Sequence, residues 1–423
     1  RHSPEAGCGG AASGRRHMET ILFLQEALFL DQLIYAAGAA IPRGRRAEAA
    51  SEIVAASLKG EAAGRLADEW RALEARAPHA ATAFQSCDLV LAWARHFTDA
   101  RTELRVVTVR CHGELVLVWP LAVERTPFGR TASWAGDPIG QYGDVVAPES
   151  TMREAWIDAA FAEIGRWDDV DFLCLRGVRA DGAIAAWAAR KGREIGPASE
   201  APSFDAAPFG NEQAFEAARW PELKRNRRRA KKLGAMGDIR FEMVTPGAKA
   251  SMLVARAFAF KRNWLAERGF YGRALIDRRA EACLAALAHG KGPDSGLVVS
   301  HLSVGGKSAA IEIGFRRGGR HYAYMGAFSP AFAKHGPGVL ATEFTIRDCL
   351  AAGLSEYDPL PPVSEYKLAW SNRRVAVRDY GVVLSWSGYA ALASAAFIRP
   401  AAKWLYEKLP LTVRRRLRFL SIK

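Results

Sequence analysis

The 423-residue sequence holds only six cysteines, and none of them forms a C-x-x-C pair. Cys8, Cys87, Cys111, Cys174, Cys283 and Cys349 are scattered. That excludes a disulfide framework and fits a reducing compartment, with most thiols acting as buried apolar fillers. The nine histidines make no H-E-x-x-H or similar cluster, so no metal is expected. No hydrophobic run is long and clean enough for a transmembrane span. The best candidate, "ILFLQEALFLDQLIYAAGAA" from Ile21 to Ala40, follows Arg15 and Arg16 as a signal segment would. Gln25, Glu26 and Asp31 interrupt it, so it reads as an amphipathic or buried helix. Acidic side chains are in deficit, 45 against 59 Lys and Arg. The net charge of +14 favours an anionic partner: nucleic acid, an anionic lipid surface or a phosphate-bearing cofactor.

What is present is the composition of a folded protein, 49% hydrophobic and 25% charged, at a length that suits two domains. The first seventeen residues, rich in Gly, Ala, Ser and Arg, read as disordered, and Met18 is a candidate start. Residues 47–78 read as helical, and Asp88–Phe97 as a short helix. "TELRVVTVRCHGELVLVWPLAVER" reads as a hairpin turning at Cys111-His112-Gly113. A helix opens at Thr151 with Glu154 completing a capping box, and "DVDFLCLRGV" is the next strand. A linker with Pro197, Pro202 and Pro208 follows. The second half opens on a basic helix and continues with a strand over Ile239–Val244 and two helices over 249–289. A three-stranded meander comes next, turning at Gly305-Gly306 and Gly318-Gly319. A helix over 338–352 and a strand over Ser355–Asp358 complete it. The expected fold is α/β, two comparable halves in tandem with mixed sheets flanked by helices. The boundaries are a disordered start and amphipathic helix over 1–46, halves over 47–200 and 210–380, and a basic tail over 381–423.

The stretch "YAYMGAFSPAFAKHGPGVLATEFTIRDCLAAGLSEYDPL" sets Gly336-Pro337-Gly338 directly before a helix. Unpaired N–H groups at a helix start bind phosphate, and glycines allow close approach. The turn is shorter than a P-loop and lacks its Lys-Ser/Thr pair, so ATP is not indicated. A simple tight turn is the alternative. Lys334 and His335 precede it and add positive charge, although Lys334 reads equally well as a solvated lysine.

In "LVLAWARHF", "GELVLVWPLAVER" and "GQYGDVV", then in "KRNRRRAKKLGAMGDIRFEMV", "LSVGGKSAAIEIGF", the stretch above and "EYKLAW", the chain resembles GNAT-fold acyltransferases of the CelD-like branch. It is more distantly similar to Fem-type aminoacyltransferases, and a bacterial ceramide synthase-like member fits the resemblance. The likeness spans roughly 85–380. It implies tandem GNAT-like domains, an acyl-CoA cosubstrate bound in the second half, and a pyrophosphate lying on Gly336, Gly338, Val339 and Leu340. Asp358, Tyr366, Lys367 and Trp370 match the family pattern, but "PLPPVS" replaces its Gly-Asp loop. Pro361 and Pro362 stiffen that loop and remove two donors, which points to a distinct acceptor pocket.

Acyl transfer to an amine requires removal of an ammonium proton, donors for the oxyanion and a departing thiolate. Glu312, on a strand face with Ala310 and Gly314, is a candidate base or acceptor anchor, unless Arg320 on the neighbouring strand simply pairs with it. Asp358 at a strand end and Glu365 before the Tyr-Lys pair are further carboxylate candidates. Tyr324 and Tyr366 are candidate acids or oxyanion donors, or packed rings with satisfied hydroxyls. Lys367 joins them through the family pattern, and His335 suits contact with the cofactor.

Lys224 to Lys232 carries seven positive charges in nine positions. On a helix, Arg225, Arg228, Arg229 and Lys232 form one stripe, open to RNA, lipid headgroups or the 3′-phosphate of coenzyme A, with Arg228 taken as the cofactor contact. Aromatic interleaving of the kind single-strand binders use is absent, so nucleic acid is not the expected partner. Gly381–Lys423 holds a net +7, with Trp404, Tyr406, Leu409, Leu411, Leu417 and Phe419 among Arg414, Arg415, Arg416 and Arg418. That suits an interfacial helix on anionic lipid, or a helix docked on the second half with its basic side wet. The expectation is a cytoplasmic N-acyltransferase, peripheral on the inner face of a bacterial inner membrane, acting on a small-molecule or lipid amine such as a sphingoid base. The competing functions are an acetyltransferase of polysaccharide biosynthesis, an aminoacyl-tRNA-dependent Fem-like transferase and a non-catalytic basic adaptor. Oligomeric state is not readable from the sequence.

Overall fold

A computed structural model describes residues 53–77, 83–209, 212–269, 272–290, 296–410 and 412–413. The expected N-terminal helix, and Leu411, Arg414, Arg415, Arg416, Leu417, Arg418 and Phe419 of the tail, lie outside them.

Thirteen strands form one sheet: β1 Ile53–Lys59, β2 Thr102–Cys111, β3 Glu114–Thr126, β4 Gly129–Trp134, β5 Phe172–Arg179, β6 Arg193–Glu194, β7 Ser199–Asp205, β8 Ile239–Val244, β9 Leu297–Val304, β10 Lys307–Arg317, β11 Arg320–Phe328, β12 Glu356–Asp358 and β13 Arg373–Val383. They run in the order β1-β2-β3-β4-β5-β13-β7-β12-β11-β10-β9-β8, with β6 on β13. The order contains the same unit twice. β1 to β4 are an antiparallel meander, and β5 lies parallel to β4 after the crossover helix Arg153–Ile164. β8 to β11 are a second meander, and β12 lies parallel to β11 after the helix Pro337–Ala351. Two strands are exchanged in the middle. β7, next in the chain after the first repeat, pairs with β12 of the second, and β13 crosses back to pair with β5 of the first.

The turns behave as their glycines require. Gly305, Gly306, Gly318 and Gly319 all have positive φ, which suits two-residue hairpin turns. Helices cover both faces of the second repeat. Ala248–Arg268 and Arg278–His289 pack Leu253, Phe258, Cys283 and Leu284 under Ile311, Ile313 and Phe315. On the other face Leu340 and Ala341 meet Leu302, Ala309 and Leu233, the last from the basic helix Trp220–Gly234.

Some local expectations fail. The start of the helical reading over 47–78 is strand β1, because "IVAASLK" completes the edge of the first meander by pairing with β2. The proline linker contains β7, and Pro202 sits where only β13 pairs, so its missing N–H costs no ladder bond to β12. The helix expected at Thr151 begins at Arg153 after Met152, with no side-chain cap, so the capping box does not form. The start of the presumed tail is the end of β13.

Candidate active site

Three features of β10, β11 and β12 position the site. Strand alternation sends Glu312, His321 and Tyr357 to the face carrying the Pro337 helix, while Ile313, Tyr322 and Asp358 face the opposite side. The register slips between Ile313 and Phe315, whose partners are Met325 and Tyr322, so β11 carries one extra residue, a bulge of the kind that re-aims side chains beside functional sites. Finally, β11 and β12 pair only through Arg320↔Glu356, His321↔Tyr357 and Tyr322↔Asp358. Beyond that point, among the described residues, no strand joins β11 on this side. Gly326 is exposed there, and a Cβ on it would meet nothing within 4 Å.

Glu312 is buried and held by two donors. Tyr357 donates its hydroxyl to Oε2 at 2.9 Å, and His321 Nε2 lies 3.0 Å from Oε1. Arg316 Nε approaches His321 Nδ1 at 3.4 Å, which makes Nδ1 the acceptor and leaves Nε2 to carry the proton. Asp348 in turn binds Arg316. The His321 ring stacks on Tyr357 at 5.4 Å and fills the space that Gly314 leaves, since a Cβ there would sit 2.6 Å from Nε2. Arg320 is not the partner of Glu312, as the sequence allowed. It binds Glu356 and Asp181 instead.

Asp358 belongs to a different cluster. It is fully buried on the opposite face, accepting from Tyr142 at 3.1 Å, from the Leu360 amide at 2.7 Å and from Arg179. Burial raises its pKa to about 6, against the opposing charge of Arg179. Arg179, itself buried on β5, also donates to Glu356 and Asp181. For Glu356, burial pushes the pKa up, but Arg179 and Arg320 outweigh it and hold the carboxyl below its ordinary value. This ionic knot ties the first repeat to the second.

The short helix Glu365–Leu368 closes the site. Lys367 is buried and donates to the carbonyls of Leu360 (2.8 Å) and Pro362 (3.1 Å), so it pins the proline loop that the sequence singled out. Burial lowers its pKa to about 8, with Asp358 acting the other way. Tyr366 exposes much of its ring, while burial of the phenol and then the Glu312 carboxylate push its hydroxyl upward. Tyr357, Tyr366 and Lys367 line one narrow cavity of about 10 Å³ with Thr342 and Trp370, room for about one water. Glu365 is exposed. Tyr324 lies on the opposite face against Phe315, and burial and then Cys283 push its hydroxyl upward, so it is separated from Glu312. A larger groove of about 620 Å³ opens at the C-terminal half of the Pro337 helix beside edge strand β8, lined by Phe241, Phe344 and Asp348 among others, away from the Tyr366 cavity.

At the other end of that helix, Gly336 has φ 62° and ψ 48°, the left-handed conformation glycine tolerates. No side chain caps the helix, and Pro337 has no N–H, so the amides of Gly338 and Val339 point outward. Lys334 and His335 end a 3-10 turn just before it, Lys334 exposed. The basic helix supplies Arg229, not Arg228. Its Nε would lie 3.1 Å from a Cβ at Gly336, and its Nη1 donates to Asn226 at 2.7 Å. Asn226 is buried and donates to Glu343 at 2.8 Å, which fixes the pair against the Pro337 helix. Arg228 is exposed.

The structure therefore sets Glu312 where its charge acts on Tyr366, and Lys367 beside Tyr366 but under the charge of Asp358 from the other face of the sheet, while Tyr324 lies across the sheet and Glu365 in solvent. His321, Tyr357, Arg179 and Arg229 escaped selection as site residues. The hairpin at Gly318-Gly319 already sets Arg316 opposite His321, a readable signal. Among the described residues no cluster of three or more His, Cys, Asp or Glu could hold a metal.

Residues 222–368 match the acetyltransferase (GNAT) domain family. No curated protein matches the chain in sequence. FemX shares the fold, and two further solved structures align less closely. FemX aligns over 75% of this chain and 95% of its own at 12% identity, with a TM-score of 0.50. A tandem GNAT protein from the clavulanic acid biosynthesis pathway aligns over 79% and 99% at 14% identity, TM-score 0.43. A GCN5-related N-acetyltransferase from Kribbella flavida aligns over 81% and 74% at 12% identity, TM-score 0.34. The fold is a tandem GNAT-like one, and its second repeat contains the stretch that matches the acetyltransferase (GNAT) domain family.

Proposed function

We propose, from the premise of a GNAT-type acyl-CoA-dependent acyltransferase, that the second repeat transfers an acyl group to the amine of a lipid, a long-chain sphingoid base being the fitting class. The observation that carries the placement is the parting of β11 from β12 beside the uncapped start of the Pro337 helix. The edge of β11 over 323–328, along which no strand pairs among the described residues and where Lys261 donates to the Gly326 carbonyl at 3.0 Å, would take an extended pantetheine as an added strand. The Gly338 and Val339 amides, with Arg229 beside them, would then meet the pyrophosphate. Glu312 is the acceptor-anchoring carboxylate. Of the three candidates it is the one bonded to Tyr357, which lines the cavity with Tyr366 and Lys367, and its two donors orient it. Tyr366, kept protonated by burial and then by Glu312, gives its proton to the thiolate as the C–S bond breaks, and the proton that the amine sheds on forming the C–N bond restores it. The basic, aromatic C-terminal stretch supports an acceptor drawn from a lipid surface.

Mass spectrometry of the purified protein incubated with short- and long-chain acyl-CoA and bacterial lipid extract tests this. An N-acylated lipid with release of free coenzyme A is expected. Acylated saccharide would replace the lipid reading with polysaccharide acetylation. A requirement for aminoacyl-tRNA would replace the donor, and no product with any donor would leave an adaptor.

A further inference from the structure

We infer that the helical segment after β13 is an anionic-membrane docking surface built on Trp386, Phe397, Ile398, Trp404 and Leu405. Helix Gly388–Ala393, a π-helical turn over Ser394–Ile398 and helix Arg399–Lys408 follow one another without a break. The first turns pack on the first repeat, with Leu392 beside Phe172. The later turns do not. Trp386 is 83% exposed, Phe397 73% and Trp404 62%, with Ile398 and Leu405 also more than half exposed.

The spacing is what turns exposed residues into a surface. Phe397, Ile398, Trp404 and Leu405 recur at i, i+1, i+7 and i+8, so they lie along one helical face. An amphipathic helix in a globular protein normally buries that face. Here, among the described residues, it meets solvent. Single exposed apolar side chains are ordinary, but a contiguous aromatic and aliphatic stripe marks a binding surface. Its chemistry selects the partner. Arg399, Lys403 and Lys408 are exposed along the same helix. Lys408 lies over the Trp404 ring at 5.9 Å, setting an ammonium beside an amphipathic indole. Indole rings at headgroup depth, aliphatic groups beneath and cations at the rim are the pattern of a helix lying in a lipid interface. Among the described residues no helix is long and apolar enough to cross a membrane, so the segment lies on the bilayer. This inference rests on exposure and charge rather than on the acyl-transfer chemistry, and its test reads binding, not turnover.

The full chain is sedimented with phosphatidylcholine vesicles with and without phosphatidylglycerol. Wild type is expected to bind the anionic vesicles, less so as salt is raised, with a salt-resistant remainder from apolar insertion. The triple variant Phe397→Ser, Trp404→Ser, Leu405→Ser should lose about tenfold or more in partitioning. Its thermal melt should be unchanged, since all three side chains are exposed. A second variant, Arg399→Gln, Lys403→Gln, Lys408→Gln, should lose part of the preference for anionic over neutral vesicles, the rest coming from Arg414, Arg415, Arg416 and Arg418. Triple-variant binding equal to wild type overturns the surface. So does a wild-type dimer that ignores vesicles and dissociates in the triple variant, which would make the stripe a contact between two copies.

Discussion

Glu312 and Glu365 are both carboxylate candidates by sequence, and burial separates them. Glu312→Gln keeps the shape but weakens acceptance from Tyr357 and His321. It should lower turnover at saturating acyl-CoA by about 10² or more with little change in KM for the donor. Glu365→Gln, in solvent, should behave as wild type. Steady-state kinetics across pH 6 to 9 decide this, and an active Glu312→Gln enzyme removes the assignment. Lys367 gives a stability test whose sign is fixed. Its folded pKa of about 8 lies below its ordinary 10.5, so between those values the unfolded chain holds the proton more tightly. The cost of burying the ammonium is fully present below pH 8 and fades as pH climbs towards 10.5, a gain in stability of up to about 3 kcal/mol. Urea unfolding at pH 7.5 and pH 10 should show wild type gaining relative to Lys367→Met. Parallel behaviour of the two proteins would assign the slope elsewhere.

Among elements, the Pro337 helix and its glycine turn are where sequence and structure agree most closely. The turn residues, the length and the following strand were all readable, because glycine and proline encode local geometry. The same holds for the meander of β9, β10 and β11. What was not readable is non-local. "IVAASLK" is a strand because β2 pairs with it, β7 tolerates Pro202 because its other neighbour starts later, and β13 is a strand because two partners wait for it. The site divides in the same way. Glu312 stood out as a lone carboxylate on an apolar strand, but Tyr357 and Arg229 act through contacts with residues tens of positions away. The Pro337 helix carries its own prediction. Gly338→Asp introduces a carboxylate where the amides point outward. The helix dipole welcomes it, so folding should survive while affinity for coenzyme A falls about tenfold or more. Calorimetry with coenzyme A measures this, and Arg229→Ala should weaken binding in the same direction. Unchanged affinity in both variants would move the pyrophosphate away from this helix.

The two repeats are held as one sheet, among the described residues, with an ionic seam between them. Arg179 from the first repeat meets Asp358 and Glu356 from the second with all three buried. A buried pair contributes little over an apolar substitute, but removing one member strands the others. Arg179→Met should therefore cost about 3–5 kcal/mol. Chemical denaturation followed by two probes, one in each repeat, should show both unfolding together. Loss of the second repeat alone would mean that the seam does not couple them.

The exchange of β7 and β13 also bears on how the chain is made. The first repeat emerges from the ribosome without the neighbour of its last strand, because β5, residues 172–179, pairs with β13, which ends at Val383. Until residues 373–383 have been synthesised, β5 presents an open edge of Phe172, Leu173 and Leu175 to other chains. The first repeat cannot finish folding early, and a nascent chain stalled before residue 373 exposes the edge most prone to aggregate.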